Sequence, residues 1–171
     1  NKSVIVISTG GSVLKSILSE QAFEKLDPIL ITDRECSFEK WYHHQNFQYT
    51  LVSLHSKNRF EFYKRLKSEL QAREICPSWF LLFYLDFPSY QWRKDFPDKL
   101  INFHPSLLPA FPGMNPDFDI SLIRPVVIGS TVEIIRSKMD QGLQLAQSVN
   151  YFDKKENFET ARHRVFLQQC A

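Results

Sequence analysis

The sequence has few cysteines, few glycines and no long apolar run, and each shortage excludes a class of protein. Its three cysteines, Cys36, Cys76 and Cys170, are odd in number and far apart, which argues against a disulfide framework. No Cys-x-x-Cys pair and no Cys/His cluster marks a zinc site, so no metal is expected. A reducing, cytoplasmic compartment is the expected location. With only five glycines, the chain also lacks a full Gly-x-Gly-x-x-Gly dinucleotide fingerprint.

Neither a membrane nor a nucleic acid is indicated as a partner. The apolar runs, such as residues 4–7 and 80–85, are far shorter than the about 20 residues that a membrane span needs. The first of these runs is also too short for a signal peptide, and two glycines follow it closely. The 21 basic and 19 acidic residues give a formal net charge of +2, which is small for a dedicated nucleic-acid domain. The length of 171 residues predicts a single domain, residues 1–171.

Strand and helix patterns alternate along the first hundred residues. Apolar, β-branched runs predict strands at 4–7, 28–32, 49–54, 79–85 and 99–103. Apolar residues at helical spacing predict helices at 13–25, 37–45 and 60–72. This alternation predicts an α/β fold with a mostly parallel, doubly wound sheet and helices on both faces. The remainder is predicted as an irregular segment at 104–118, strands at 126–136 and 143–151 separated by a turn, and a helix at 156–169.

Two side chains at the end of the fifth predicted strand could carry chemistry. Strand alternation places Asn102 and His104 on the same side. Ligands of open α/β sheets bind beyond the carboxyl ends of the strands. An asparagine can donate to an oxyanion, and a histidine can exchange a proton near neutral pH. Taken alone, the pair is equally consistent with turn chemistry, and an isolated loop aspartate such as Asp140 usually forms a turn.

Two stretches taken together are more specific. They are the block Asn102-Phe103-His104-Pro105-Ser106-Leu107-Leu108-Pro109 with Pro112-Gly113 after it, and Gly129-Ser130-Thr131-Val132 followed by Asp140 and Gly142. With this spacing, the chain resembles the folate-dependent formyltransferases, from about residue 3 to residue 165. Within that family it is most similar to the phosphoribosylglycinamide formyltransferases. The opening strand, the Gly10-Gly11-Ser12 turn and the helix after it fit that branch as well.

The resemblance implies a Rossmann-like formyltransferase fold and an enzyme that transfers a formyl group from 10-formyltetrahydrofolate, its co-substrate, to a primary amine. Asn102, His104 and Asp140 match the catalytic residues of the family. The first two would hydrogen-bond the tetrahedral oxyanion, and Asp140 would orient His104 and assist proton transfer. The residues expected to line the folate pocket are Tyr84, Leu85, Asp86, Phe87, Ser137, Lys138 and Met139.

The residues that would bind the acceptor depart most from the family. The resemblance implies that the backbone of Gly10, Gly11, Ser12 and Val13 binds a substrate phosphate and that Arg59 approaches the substrate. Departures from the family pattern stand at Val13, at Asn115, at Glu133 (where a histidine is usual) and at Leu167 (where an acidic residue is usual). The chain also stops sooner than the family pattern, which leaves open whether its C-terminal end is complete.

Glycinamide ribonucleotide is therefore the first expected acceptor, in purine biosynthesis, and a nucleotide-linked amino sugar is the second. A formyltransferase-like binding module with weak catalysis is the alternative of a different class. The expected partners are small-molecule substrates, for a monomer or a homodimer.

Overall fold

The structure is a computed structural model that describes residues 2–18 and 20–170 of the chain. It divides into two compact units, Asn1–Ile101 and Asn102–Ala171. Each unit contains its own strands and helices. The prediction of a single domain stays a prediction.

The first unit contains the parallel part of the sheet. Its strands are β1 (Ser3–Ile7), β2 (Pro28–Thr32), β3 (Thr50–Ser53), β4 (Phe80–Phe83) and the start of β5 (Leu100–His104). The strand β1 pairs in parallel with both β2 and β4, and β2 pairs in parallel with β3. All residues of β1 and β2 are buried, as expected for strands that are covered on both faces. The predicted α/β fold with a mostly parallel sheet is confirmed.

The helices of the first unit differ from the prediction in two places. They are α1 (Ser12–Ile17), α2 (Gln21–Glu24), α3 (Ser37–Tyr42), α4 (Arg59–Ala72) and α5 (Tyr90–Asp95). The single helix predicted at 13–25 is therefore wrong, because two short helices occupy its range. The helix α5 was not predicted, since its six residues are too few to show a period. It begins where the side chain of Ser89 accepts a hydrogen bond from the backbone N–H of Trp92.

Trp92 anchors α5 in an aromatic cluster. Its side chain is fully buried, and its ring lies 5.4 Å from the ring of Phe80 and 5.6 Å from that of Tyr63, centroid to centroid. Phe62 and Tyr84 complete the cluster. Because aromatic rings bury large apolar areas, this cluster holds α4 and α5 against β4.

The second unit contains the end of β5 and an antiparallel pair. Its other elements are α6 (Pro116–Ile123), β6 (Val127–Ile134), β7 (Leu143–Tyr151) and α7 (Phe158–Cys170). The strands β6 and β7 pair antiparallel, with a register shift between Val132 and Glu133. The helix α6 starts inside the segment that was predicted to be irregular up to residue 118. Pro116 is its first residue, where a proline fits because the N–H it lacks would have no helical partner.

The core of the second unit is small. Ile120, Ile128, Phe152, Ala161 and Val165 are buried together and join α6, α7 and the pair β6–β7. Within the described residues, no helix is long and apolar enough to cross a membrane.

Asp95 of α5 accepts three hydrogen bonds, two of them from α4, which generates a prediction about acid stability. Its carboxylate accepts from Lys67 Nζ, Tyr63 Oη and Gln91 Nε2, each at 2.6 Å. Lys67 first, and then Tyr63 and Gln91, lower the pKa of Asp95 to about 2. A carboxyl whose pKa is depressed on folding stabilises the fold at higher pH and loses that contribution on protonation. We therefore expect Asp95 to stabilise the fold above about pH 4, and to stop doing so as the pH falls towards 2.

Replacing Asp95 by Asn should lower the free energy of unfolding at pH 5 by about 1 kcal/mol, after allowance for solvent screening. The difference between the variant and the parent protein should shrink towards pH 2.5. Urea unfolding at a series of pH values measures it, with Asp119→Asn as the control at an exposed carboxylate. A difference that does not change with pH contradicts the prediction.

Candidate active site

The candidate active site lies in the second unit and starts at the end of β5. His104 is the last residue of β5 and is 5% exposed, whereas Asn102, two residues before it, is half-buried. The chain then leaves the sheet and forms an irregular segment, which we call the 105–113 segment. The strand ending thus brings His104 to the base of a loop, as the sequence predicts.

His104 and Asp140 are brought together although 36 positions separate them in the sequence. Their Nδ1 and Oδ1 atoms lie 3.5 Å apart, and both side chains are 5% exposed. Asp140 is the end of the turn between β6 and β7, where its backbone has a left-handed φ of 54°. Its second carboxylate oxygen, Oδ2, accepts a hydrogen bond of 2.6 Å from the backbone N–H of Gly113. Asp140 therefore connects the histidine with the 105–113 segment.

The other ring nitrogen of His104 also has a partner. Its Nε2 lies 3.1 Å from the carbonyl oxygen of Phe111, which also accepts a hydrogen bond of 2.8 Å from Ser106 Oγ. Because a carbonyl oxygen only accepts, a hydrogen bond here requires the proton on Nε2. A protonated Nε2 is the kind of donor that an oxyanion would need.

Glu133 is a residue of the site that sequence reasoning named only as a departure from the family. It lies in β6 and is 1% exposed. Its Oε1 accepts a hydrogen bond of 3.5 Å from Asn102 Nδ2, and its Oε2 accepts one of 2.8 Å from the backbone N–H of Gly142. The sequence carried one signal for Glu133: it follows Thr131 by two residues in a predicted strand. Strand alternation puts these two side chains on the same face.

Thr131 fixes the 105–113 segment to β6. Its buried hydroxyl donates to the carbonyl oxygen of Ser106 at 2.8 Å and accepts from the backbone N–H of Leu108 at 3.0 Å. Gln147 Nε2 donates to the same hydroxyl at 3.0 Å and to the carbonyl oxygen of Leu108 at 2.8 Å. These hydrogen bonds connect Ser106 and Leu108 of the segment with Thr131 of β6 and Gln147 of β7.

The predicted binding residues of the first unit fall into two places. Gly10 and Gly11 lie in the turn from β1 into α1, where Gly11 has a φ of 56°, and Ser12 and Val13 are the first residues of α1. A Cβ at Gly11 would lie 2.8 Å from the ring of Phe38, so the glycine is required for packing whether or not it binds a phosphate.

The second place is a cavity of about 500 Å³ that brings together Arg59, Tyr84 and Asp86. Arg59 Nη1 donates to the carbonyl oxygen of Phe87 at 3.4 Å, and Asp86 pairs with Arg34 at 2.9 Å. The ring of Tyr84 belongs to the aromatic cluster, and its burial raises the pKa of its hydroxyl. Leu85 is exposed at the same strand ending.

The remaining predicted residues lie at the surface of the second unit. Ser137, Lys138 and Met139 are exposed in the turn that leads to Asp140. Asn115 precedes α6 and is exposed, and Leu167 is 53% exposed on α7. Among residues 2–18 and 20–170, no group of three or more His, Cys, Asp or Glu side chains could hold a metal ion.

Comparisons with known proteins identify the family of the chain. A family model described as formyl transferase matches residues 1–169. Phosphoribosylglycinamide formyltransferase of Bacillus subtilis is 26% identical, over 96% of this chain and 86% of its own length. Formyltetrahydrofolate deformylase of Haemophilus influenzae is 28% identical, over 91% of this chain and 56% of its own length. The crystal structure of glycinamide ribonucleotide transformylase 1 from Geobacillus kaustophilus superimposes with a TM-score of 0.84 at 23% identity, covering 99% of this chain and 93% of that one.

Replacing Thr131 by Val should destabilise the protein by about 1–3 kcal/mol, because the isosteric change leaves buried polar groups of the 105–113 segment without partners. The midpoint of urea unfolding measures the effect. Thr131→Ser is the matched control, since it keeps the hydroxyl and loses only a methyl group. Equal midpoints for the valine variant and the parent protein would contradict the role given to this hydroxyl.

Proposed function

Because the chain belongs to the formyl transferase family and is a formyltetrahydrofolate-dependent enzyme, we propose that it transfers the formyl group to the primary amine of glycinamide ribonucleotide. The observation that carries the proposal is the buried pair of His104 and Asp140 beside Asn102, at the end of β5. The choice of acceptor is supported by the similarity to the Bacillus subtilis formyltransferase.

The proposed reaction begins when the amine nitrogen attacks the formyl carbon. A new C–N bond forms, and the formyl oxygen becomes the oxyanion of a tetrahedral intermediate. Nε2–H of His104 donates to that oxygen in place of the Phe111 carbonyl, and the side-chain N–H of Asn102 is the second donor. Oδ1 of Asp140 lies 3.5 Å from Nδ1 of His104 and orients the ring for this donation.

The intermediate collapses when the bond between the formyl carbon and the folate nitrogen breaks. The amine loses a proton and the departing folate nitrogen gains one, so no net acid or base is consumed. We propose that Asp140 and His104 assist this transfer, since both are held at the reacting centre by fixed partners.

Binding of the two substrates is proposed separately for each unit. In the first unit, Tyr84, Leu85, Asp86 and Phe87 are proposed to contact the folate, Arg59 to approach the substrate, and Gly10, Gly11, Ser12 and Val13 to bind the acceptor phosphate. In the second unit, Ser137, Lys138 and Met139 are proposed to contact the folate. The cavity beside Arg59 supports the first of these assignments, because it places a cation next to residues of the proposed folate wall.

Hydrolysis of the formyl group is a second candidate function. It is supported by the similarity to the Haemophilus influenzae deformylase, of which the chain covers 56%. Water would then replace the amine as nucleophile, and the products would be formate and tetrahydrofolate. The changes at Asn115 and Leu167, where the family pattern places acceptor-binding residues, are also consistent with a smaller nucleophile.

The direct test is the rate of tetrahydrofolate formation from 10-formyltetrahydrofolate. It is measured with glycinamide ribonucleotide, with a nucleotide-linked amino sugar, and without an amine. We expect turnover with glycinamide ribonucleotide, and His104→Ala should reduce kcat about 10²- to 10³-fold, since one oxyanion donor is lost. His163→Ala is the control, as it removes an exposed histidine of α7 in the same unit.

The other outcomes assign a different function. Turnover without an amine identifies a hydrolase, and turnover only with the amino sugar changes the acceptor. Folate binding without any turnover points to a binding module with little catalysis.

A further inference from the structure

We propose that Glu133 is a positioning residue that orients the amide of Asn102 for catalysis. This inference rests on the proposed function, since it assigns to Asn102 the role of an oxyanion donor. Glu133 stands where the family pattern has a histidine, so the contact between Glu133 and Asn102 departs from that pattern.

The burial of Glu133 makes its partners energetically important. A carboxylate that is 1% exposed is costly unless donors satisfy its oxygens. Each oxygen has one donor: Asn102 Nδ2 at 3.5 Å for Oε1 and the Gly142 backbone N–H at 2.8 Å for Oε2. Both oxygens are therefore engaged inside the protein, and Glu133 acts on the reaction through its neighbours.

A register shift between the strands β6 and β7 lies at Glu133. Val132 pairs with Ala146 whereas Glu133 pairs with Gln144, so one residue of β7 is extra at this point. Such a bulge changes the direction of nearby side chains and is common beside active sites. Only a residue without a side chain fits at Gly142, because a Cβ there would lie 2.8 Å from Glu133 Oε2 and 2.0 Å from the carbonyl oxygen of Ile134.

The chemical consequence concerns the two ends of the Asn102 side chain. An amide presents an NH₂ donor and a C=O acceptor of nearly the same shape, so its partners decide which end points where. An ionised carboxylate accepts only, and it therefore selects the orientation with NH₂ towards Glu133. One N–H is held by Glu133, and the second N–H stays available to donate to the oxyanion. The same carboxylate holds Gly142, two residues after Asp140, so it fixes the donor and the end of the turn that carries Asp140 at once.

The kinetic test compares Glu133→Ala and Glu133→Gln with the parent protein. The alanine variant should lower kcat about 10- to 100-fold with little change in KM, a smaller loss than complete removal of a donor. The glutamine variant keeps one acceptor oxygen and should retain part of the lost rate. Ser130→Ala is the matched control in β6: its buried hydroxyl bonds to Ser148 instead, and the variant should keep the parent kcat.

A double-mutant cycle separates positioning from a general structural effect. If Glu133 acts through Asn102, then Glu133→Ala should change kcat less than about threefold in an Asn102→Ala background. An equal loss in both backgrounds would overturn the proposal, because Glu133 would then act independently of Asn102.

A spectroscopic measurement tests the contact without activity. The side-chain amide of Asn102 gives a pair of ¹⁵N–¹H signals that Asn102→Ala identifies by their loss. We expect these signals to shift in Glu133→Ala, and unchanged signals would overturn the proposal even in a protein that turns over no formylfolate. Failure of the proposed function is recognised separately, as a shift of the amide signals without turnover by the parent protein.

Glu133→Gln serves the same purpose if the alanine variant does not fold. Its carbonyl oxygen can take the place of Oε1 at Asn102 or of Oε2 at Gly142, and its NH₂ group then faces the other donor. Either the Asn102 side-chain signals or the Gly142 backbone signal must therefore shift, and the absence of both shifts would overturn the proposal.

Discussion

The candidate site depends on how the 105–113 segment satisfies its backbone hydrogen bonds without belonging to a helix or a strand. Buried backbone groups require partners. Here side chains provide them: the hydroxyl of Thr131, the amide of Gln147 and the carboxylate of Asp140 each bind the segment. The segment thereby places the carbonyl oxygen of Phe111 3.1 Å from Nε2 of His104. The position of the His104 ring is thus set by the 105–113 segment as well as by the strand β5 that carries it.

The sequence predicts the parallel part of the sheet well because β1 and β2 are buried on both faces. A run such as Val4-Ile5-Val6-Ile7 is unambiguous under that constraint. The helices α5 and α6 were not predicted, because six and eight residues form too few turns to show a helical period. Their starts were nevertheless marked by capping chemistry, at Ser89 and at Pro116.

For the candidate site, the sequence names candidate residues but does not predict all of the contacts between them. His104 and Asp140 lie together, as the resemblance implies, with Nδ1 and Oδ1 3.5 Å apart. The contact of Glu133 with Asn102 lies at a register shift in the pair β6–β7, and neither the contact nor the shift was predicted. A shift of one residue leaves no mark in the hydrophobic pattern of a strand such as β7, which is exposed along most of its length.

The turn between β6 and β7 has a bearing on protein engineering. Its residues 136–139 are exposed, but the turn ends at a buried carboxylate, and Gly142 lies too close to a backbone oxygen to tolerate a Cβ. Side chains can therefore be randomised at Lys138 and Met139 in a combinatorial library, while loop length, Asp140 and Gly142 are kept constant. A library of this kind varies a short exposed stretch without changing the residues that hold the turn in place.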